Sequence, residues 1–206
     1  VFVADHGEEF RDHGRILHGQ TLYREVLRVP MAIKVPGTPP LRVTQPVSVV
    51  DLMPTLLEVL NVPAPSTPMA GRSLIALMRG EPSTAQDVLM ESRLGYRKDA
   101  ELEGIIHGDW KLIIEKPRTD AAGNPPENTE SVAFLFNWKT DPKEKKNMAE
   151  QHPEIVASLQ KKIAVQVASA EQLRSHFKIP ETLSHTPSEI EQLHALGYVV
   201  SEDDEP

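Results

Sequence analysis

The sequence predicts an α/β protein in two parts: the end of a parallel sheet sandwiched by helices, then a small antiparallel sheet packed with helices. Three observations carry this. Two short apolar runs, residues 1–4 and 29–35, are separated by more than the dozen or so residues that a parallel crossover needs. A helix with clear start and stop signals follows them. After Glu81-Pro82 the pattern changes to short β-prone runs divided by turn residues, and then to helical periodicity.

Residues 1–4, Val-Phe-Val-Ala, are continuous and apolar, which suits a strand buried on both faces. Because this strand is already in progress at Val1, a truncated amino end is expected, with any signal peptide upstream. A polar stretch rich in His, Gly and acids covers 5–20, and a helical turn is expected around 23–27. In the second apolar run Pro30 stands at the start, where a strand tolerates it, and Pro36-Gly37 ends it. Asp51 is the expected N-cap of the next helix, with Pro54 in its first turn and Leu52, Leu56, Val59 and Leu60 as its apolar stripe. That helix stops near Asn61, before Pro63 and Pro65, and 63–68 reads as a surface loop.

Strands are expected at 88–90, 104–107, 110–114 and 132–138, with Gly108-Asp109 as a hairpin turn. Residues 116–131 read as a long flexible loop. Pro153 opens a helix in which Ile155, Leu159 and Ile163 share one face. Thr186-Pro187-Ser188-Glu189 is a capping box for a last helix that carries Ile190, Leu193 and Leu196 and ends at Gly197. The expected division is 1–85, 86–200, and an acidic, disordered tail at 201–206.

Hydrophobic residues make up 39% of the 206, enough for a core, and the formal net charge is −8. No basic cluster interrupts that balance, so no nucleic-acid partner is expected. Without cysteine there are no disulfides, Cys-based zinc sites or thiol nucleophile in this stretch. No apolar run approaches the ~20 residues needed to span a bilayer.

The chemistry concentrates between Asp5 and Arg28. Asp5 and His6 follow directly on the first strand, and α/β sheets collect ligands at the carboxyl ends of their strands. A carboxylate supplies charge to a divalent cation and an imidazole supplies a neutral nitrogen. Gly7 lets the backbone turn sharply past such an ion, and His13 and His18 follow. Spacing alone leaves blander readings open: Asp5 as a helix N-cap with His6 exposed, His13 as a solvated group, His18 as part of a turn, and Glu8-Glu9 as the acidic first turn of a helix.

The stretch Val3-Ala4-Asp5-His6-Gly7-Glu8-Glu9, continuing through His18-Gly19-Gln20-Thr21-Leu22-Tyr23 to Arg28-Val29-Pro30, resembles the metal-loop region of the sulfatase family, within the alkaline phosphatase superfamily. The similarity continues in Val50-Asp51-Leu52-Met53-Pro54-Thr55-Leu56-Leu57, in Gly71-Arg72-Ser73-Leu74 and in Gly108-Asp109-Trp110-Lys111-Leu112-Ile113. It then runs through Asp141-Pro142-Lys143-Glu144-Lys145-Lys146-Asn147 to Leu193-His194-Ala195-Leu196-Gly197-Tyr198.

The resemblance implies an alkaline-phosphatase-like fold and a sulfuric ester hydrolase of which this chain is the carboxyl-terminal portion. Asp5 and His6 match the ligand pair that closes the family's metal site. Many sulfatases place Asn where His6 stands and bind calcium, so Ca²⁺ is the first expectation, with Mn²⁺ or Zn²⁺ as alternatives. His18 lies near the place where many members carry a lysine on the sulfate, a residue this sequence lacks there, with Gly19 as the alternative match. His18 is assigned as a sulfate-oxygen donor or leaving-group acid, and His13 as a further substrate-binding candidate. Tyr23 and Arg28 match family positions and read as structural. The family's nucleophile, a formylglycine made from a Cys or Ser in an amino-terminal motif, is expected upstream, so the chain alone is expected to be inactive. The expected substrate is a sulfate ester of a small molecule or sugar, and the family favours a periplasmic or secreted location. The alternatives are a phosphonate or phosphate monoester hydrolase, distinguished by the nucleophile, and a non-catalytic interaction module, distinguished by lack of metal binding. Trp110 and Trp138 are read as packing, His107 as filler, Arg93 as undecided, and Asp141-Pro142-Lys143-Glu144 as a turn.

Overall fold

The computed structural model describes residues 1–92, 100–118, 130–177, 186, 188–189 and 192. Two compact units divide the chain, Val1–Arg174 and Ser175–Pro206. The first contains a mixed α/β arrangement, as the sequence predicts.

Its carboxyl-terminal half is a four-stranded antiparallel sheet, β5 (Val88–Ser92), β6 (Ala100–His107), β7 (Trp110–Pro117) and β8 (Val132–Asn137), paired in sequence order. The expected strands are all present, most of them longer than predicted. The β6–β7 hairpin turns at Gly108-Asp109, with His107 opposite Trp110 and Gly108 at φ 57°. Trp138 closes this turn by donating its indole N–H to the Gly108 carbonyl.

The two-residue alternation of the sheet sorts its side chains onto two cores. On one face Ile105, Leu112, Ile114 and Leu135 pack against Leu159 and Ile163. These last two belong to α4 (Pro153–Arg174), so the face predicted for that helix is the buried one. On the other face Leu102, Ile113, Phe136 and Met90 close over Leu22. Gly104 lies beneath that leucine, and a Cβ there would meet the Leu112 carbonyl at 2.7 Å. The sheet is therefore the platform on which the chemistry-bearing segment rests.

In the amino-terminal half, β1 (Phe2–Val3) and β4 (Met31–Ala32) pair with Phe2 opposite Ala32 and Val3 opposite Met31. This ladder is antiparallel where the sequence reading made the two runs parallel. The reason lies in the connection. The only helix in it, α1 (Arg24–Leu27), has four residues and carries Val26 into the interior, too short to lay a crossover along a sheet. The rest is a hairpin, β2 (Glu9–Phe10) with β3 (Ile16–Leu17), in which Glu9 faces Leu17. Val1 and Phe2 are 62% and 66% exposed, so this strand is not buried on both faces within the chain.

The helix predicted to start at Asp51 is α2 (Leu52–Val59), entered through a 3-10 turn at Val49–Asp51. Its cap is Ser48, three residues before the predicted one. The Ser48 hydroxyl accepts the Val50 N–H while the Asp51 carboxylate accepts the Ser48 N–H, a reciprocal box in which Asp51 is the third position. The other Asp51 oxygen accepts the Arg72 N–H at 3.0 Å. Gly71 lies so close to the Val50 carbonyl that a methyl would overlap it. Thr55 donates to the Asp51 carbonyl and accepts from Leu74 N–H, at the start of the short α3 (Ile75–Met78). Two of the sequence landmarks, 50–57 and 71–74, are thus the two sides of one joint.

Of the expected last helix, the described residues show the capping box, with Thr186 N–H donating to Glu189 and Glu189 N–H to the Thr186 hydroxyl. Ile190, Leu193, Leu196 and Gly197 lie outside the described residues, as do Arg93, the loop at 119–129, the landmark at 193–198 and the tail at 201–206.

Candidate metal centre and its supporting network

β1 ends at Val3, and the chain then runs Ala4-Asp5-His6-Gly7 over α1. Backbone bonds fix this run: Ala4 N–H to the Pro30 carbonyl, Gly7 N–H to Val26 at 2.7 Å and Glu8 N–H to Glu25 at 3.1 Å. Gly7 packs directly on the Glu25 carbonyl, where any side chain would overlap, so the glycine is required by close approach. Close approach to α1, and not a left-handed turn past an ion, is what Gly7 provides here.

Asp5 and His6 converge. The His6 Nε2 lies 3.8 Å from Asp5 Oδ2, a separation two donors can adopt around one ion at ~2.0–2.4 Å from each. The His6 Nδ1 lies 2.8 Å from the Gly7 carbonyl, which only accepts, so Nδ1 carries the hydrogen and Nε2 presents its lone pair. The His6 backbone N–H donates to Asp5 Oδ1 at 2.9 Å. That bond, helped by Asp5's own N–H and by the His6 ring, holds the carboxyl below the usual carboxylate range.

His18 arrives from the end of β3. Its ring stacks on His6 at 3.8 Å, and its Nδ1 is 3.3 Å from Glu8 Oε2. His6, Glu8 and His18 offer donor atoms all within 4.8 Å of one another. Glu8 Oε1 is buried and has no hydrogen-bond partner, an orphaned acceptor beside the ligand pair. The two imidazoles and the Glu8 carboxylate therefore fit a divalent cation, and Asp5 meets this group through His6. Glu8 was read only as a solvated acid, and its proximity to His18 depends on the β2–β3 hairpin, whose two-residue strands leave no periodic signal. Glu9, which was to share a first helical turn with Glu8, instead begins β2 and is 1% exposed.

His13 is not with His6 and His18. Its Nδ1 abuts Glu25 Oε1, its Nε2 lies 3.0 Å from the Glu144 carbonyl, and Tyr23 stacks on its ring at 3.7 Å. Tyr23 packs as predicted, also touching Phe134 and Phe136. Burial, reinforced by nearby carboxylates including Glu115 and Glu144, pushes its hydroxyl up to about 12.

Glu144 is the centre of this second network, and the sequence reading saw only its turn. The turn exists, closed by Glu144 N–H to the Asp141 carbonyl, with Glu144 at φ 53°. The carboxylate reaches down to Lys111 on β7, which donates to both oxygens at 2.8 and 2.9 Å, while the Arg24 N–H donates to Oε2 at 3.0 Å. Burial pushes Lys111 down and Glu144 up from their ordinary values, which their pairing opposes. Arg24 also donates to the Pro142 carbonyl, and Lys145 to the Asp12 carbonyl. The landmark at 141–147 is thus joined to the amino-terminal segment across a separation of 120 residues, Arg24 to Glu144, and Lys111 ties the landmark at 108–113 to the same carboxylate.

A groove of about 1410 Å³ runs along β4 and past His13, Glu25, Arg28 and Lys34. Asp5, His6 and His18 do not line it. Donor geometry, and not cavity size, marks the candidate centre. His107 pairs with Asp87 at 2.5 Å, and Lys162 of α4 reaches the same carboxylate at 3.2 Å. Trp110 lies 5.2 Å from the His152 ring, a packing contact as expected.

The sequence matches the family described as N-sulphoglucosamine sulphohydrolase, C-terminal, over residues 12–170. Mouse arylsulfatase K is 28% identical over 171 residues, which cover 79% of this chain and 29% of that protein. The chain therefore spans under a third of the length of these curated relatives, the bovine and human proteins included. Among solved structures, the phosphonate monoester hydrolase of Agrobacterium radiobacter superposes with a TM-score of 0.64 at 20% identity, covering 90% of this chain and 38% of its own. A protein in complex with its substrate D-glucosamine-2-N,6-O-disulfate gives a TM-score of 0.59 at 20% identity, covering 84% and 34%. The two superpositions share the fold. The family match extends over most of the chain, and the chain belongs to the sulfatase family described as N-sulphoglucosamine sulphohydrolase, C-terminal.

Proposed function

We propose that this chain supplies one side of the metal centre of a sulfuric ester hydrolase. The observation that carries the reading is the convergence of Asp5 Oδ2 and His6 Nε2, with the His6 tautomer set by the Gly7 carbonyl. Asp5 and His6 are the residues that would hold the cation. Ca²⁺ is favoured by the family, and Mn²⁺ or Zn²⁺ by the imidazole donor. When bound, the ion polarises ester oxygens and stabilises charge that builds in the transition state.

His18 then has one of two roles, to donate a hydrogen bond to a sulfate oxygen or to protonate the departing alcohol. Its stacking on His6 sets the ring beside the ligand pair, and Glu8 beside Nδ1 orients it. The sequence contains no cysteine, and none of its serines begins the Ser-x-Pro-x-Arg motif from which a formylglycine could be made. The nucleophile is accordingly assigned to the part of the relatives' length that this chain does not span, and the 206 residues alone are expected not to turn over a sulfate ester. A sulfated sugar is the favoured substrate class, in keeping with the disulfated glucosamine bound by one structural neighbour.

The likeness to a phosphonate monoester hydrolase favours a second reading in which the same centre acts on phosphonate esters. Assaying the full-length protein with 4-nitrophenyl sulfate and with a phenylphosphonate monoester separates the two. Faster turnover of the sulfate is expected, and exclusive turnover of the phosphonate would replace the first reading with the second. Calorimetric titration with Ca²⁺, Mn²⁺ and Zn²⁺ tests the centre itself: Asp5→Ala should abolish high-affinity binding at this site, and equal binding by wild type and variant would remove Asp5 from it.

A further inference from the structure

Hydrolysis at the Asp5–His6 centre makes no use of a second group of donors, Glu9, His13 and Glu25. Their ligand atoms all lie within 4.8 Å of one another. Glu9 is 1% exposed, and neither of its carboxylate oxygens has a hydrogen-bond partner of good geometry; burial pushes its carboxyl up from the ordinary value, which the nearby Thr21 side chain opposes. A carboxylate placed so deeply without partners is costly and calls for a compensating charge.

The neighbouring groups are arranged to receive one. The Nε2 of His13 faces the Glu144 carbonyl at 3.0 Å, so that nitrogen carries a hydrogen. Nδ1 is left facing Glu25 Oε1. This is the arrangement of a metal-binding imidazole, in which a backbone carbonyl fixes one nitrogen and directs the other at the ion. Tyr23, stacked on the ring with an interplanar angle of 4°, prevents it from turning away. A proton shared between His13 and Glu25 satisfies those two groups and leaves Glu9 unmatched, whereas a divalent cation meets all three. His13 and Glu25 border the groove along β4, which gives the ion a way in.

We propose that Glu9, His13 and Glu25 form a second, structural divalent-cation site of the zinc or manganese class, with one imidazole and two carboxylates as its protein ligands. One imidazole and two carboxylates suit zinc or manganese better than the all-oxygen shell that calcium prefers. Such an ion cross-links β2 to α1 and, through the other nitrogen of His13, to the turn that carries Glu144. It braces the segment on which Asp5 and His6 are mounted without taking part in the reaction.

The test uses the chain free of any histidine tag and carrying Asp5→Ala and His6→Ala, so that the first centre is silent. Zn²⁺ is followed by calorimetry and thermal melting, and Co²⁺ by visible absorption, which the absence of cysteine keeps free of thiolate bands. One equivalent of Zn²⁺ should bind and raise the melting temperature. Adding Glu9→Gln, which keeps the side-chain volume and removes the buried charge, should leave the metal-free protein folded with an undiminished melting temperature. It should weaken Zn²⁺ by at least the ~10–100-fold that loss of even an outer-shell partner costs. Glu25→Gln should do the same. Failure of the Asp5→Ala/His6→Ala protein to take up Zn²⁺, or equal affinity with and without Glu9→Gln, overturns the proposal. Neither result bears on the Asp5–His6 centre, because that pair is absent from the test protein.

Discussion

Two groups of ionisable side chains meet at the segment 5–25 and sit in opposite surroundings. In the first, Asp5 is 77% exposed and His6, Glu8 and His18 are about a third exposed, at 37%, 34% and 30%. In the second, Lys111 and Glu144 are 3% and 2% exposed, His13 12% and Glu25 18%. The exposed group keeps donor atoms available at the protein surface. The buried group spends most of its hydrogen bonds on joining β7, α1 and the 141–144 turn. Reactive groups stay within reach of a ligand because a neighbouring buried network holds their backbone in place.

The buried network should show the greatest sensitivity. Lys111→Met leaves the Glu144 carboxylate without its cation, and loss of one partner from a buried pair costs about 3–5 kcal/mol. Urea unfolding should register this as a large drop in midpoint, and Lys111→Met/Glu144→Gln should lose less than the sum of the two single changes. Additive losses would mean that the pair is not coupled.

The joint between the two groups comes next. Gly7→Ala drives a methyl into the Glu25 carbonyl, an overpacking that costs about 1–3 kcal/mol. Unlike Lys111→Met, it should also weaken divalent-cation binding strongly, because Asp5 and His6 are displaced together. Unchanged affinity in Gly7→Ala would separate loop docking from ligand placement.

A smaller effect is expected at Asp87. Burial pushes its carboxyl up, but hydrogen bonds from His107 and Lys162 outweigh this and hold it below its ordinary value of 3.8. A carboxyl lowered on folding contributes stability that is complete above the unfolded value and is lost as pH falls through the folded one. Urea midpoints measured from about pH 6 to pH 3 should therefore fall less steeply for Asp87→Asn than for wild type. A parallel pair of curves would assign the acid sensitivity elsewhere. The smallest effect on stability belongs to the exposed group: Asp5→Ala should leave the unfolding midpoint unchanged while removing high-affinity metal binding at its centre.

The same contrast explains what could be read from the sequence. Asp5 and His6 stand out in the sequence because they are adjacent and close a short apolar run, and their side chains lie 3.8 Å apart. The antiparallel sheet and α4 were legible because alternating or helical spacing persists long enough to count. The β2–β3 hairpin and α3 were not, since two- and four-residue elements carry no period. The antiparallel pairing of β1 with β4 was missed because a long connection looks the same whether it holds a crossover helix or a hairpin.

Glu144 and Lys111 escaped notice for a different reason. Their partners lie far away in the chain, and a turn motif does not reveal where its last carboxylate will reach. One missed feature did have a local signal: Ser48, three residues before Asp51, completes a box that placed the cap one turn too late. Among the described residues, family landmarks beyond 3–30 prove to be joints. Gly71 closes on Val50, and Glu144 on Lys111 and Arg24.

The most direct measurement is anomalous diffraction from crystals of the full-length protein grown with Mn²⁺. The account predicts a difference peak at ~2.0–2.4 Å from both Asp5 Oδ2 and His6 Nε2. Strong binding of Mn²⁺ with no density between those two atoms would contradict it.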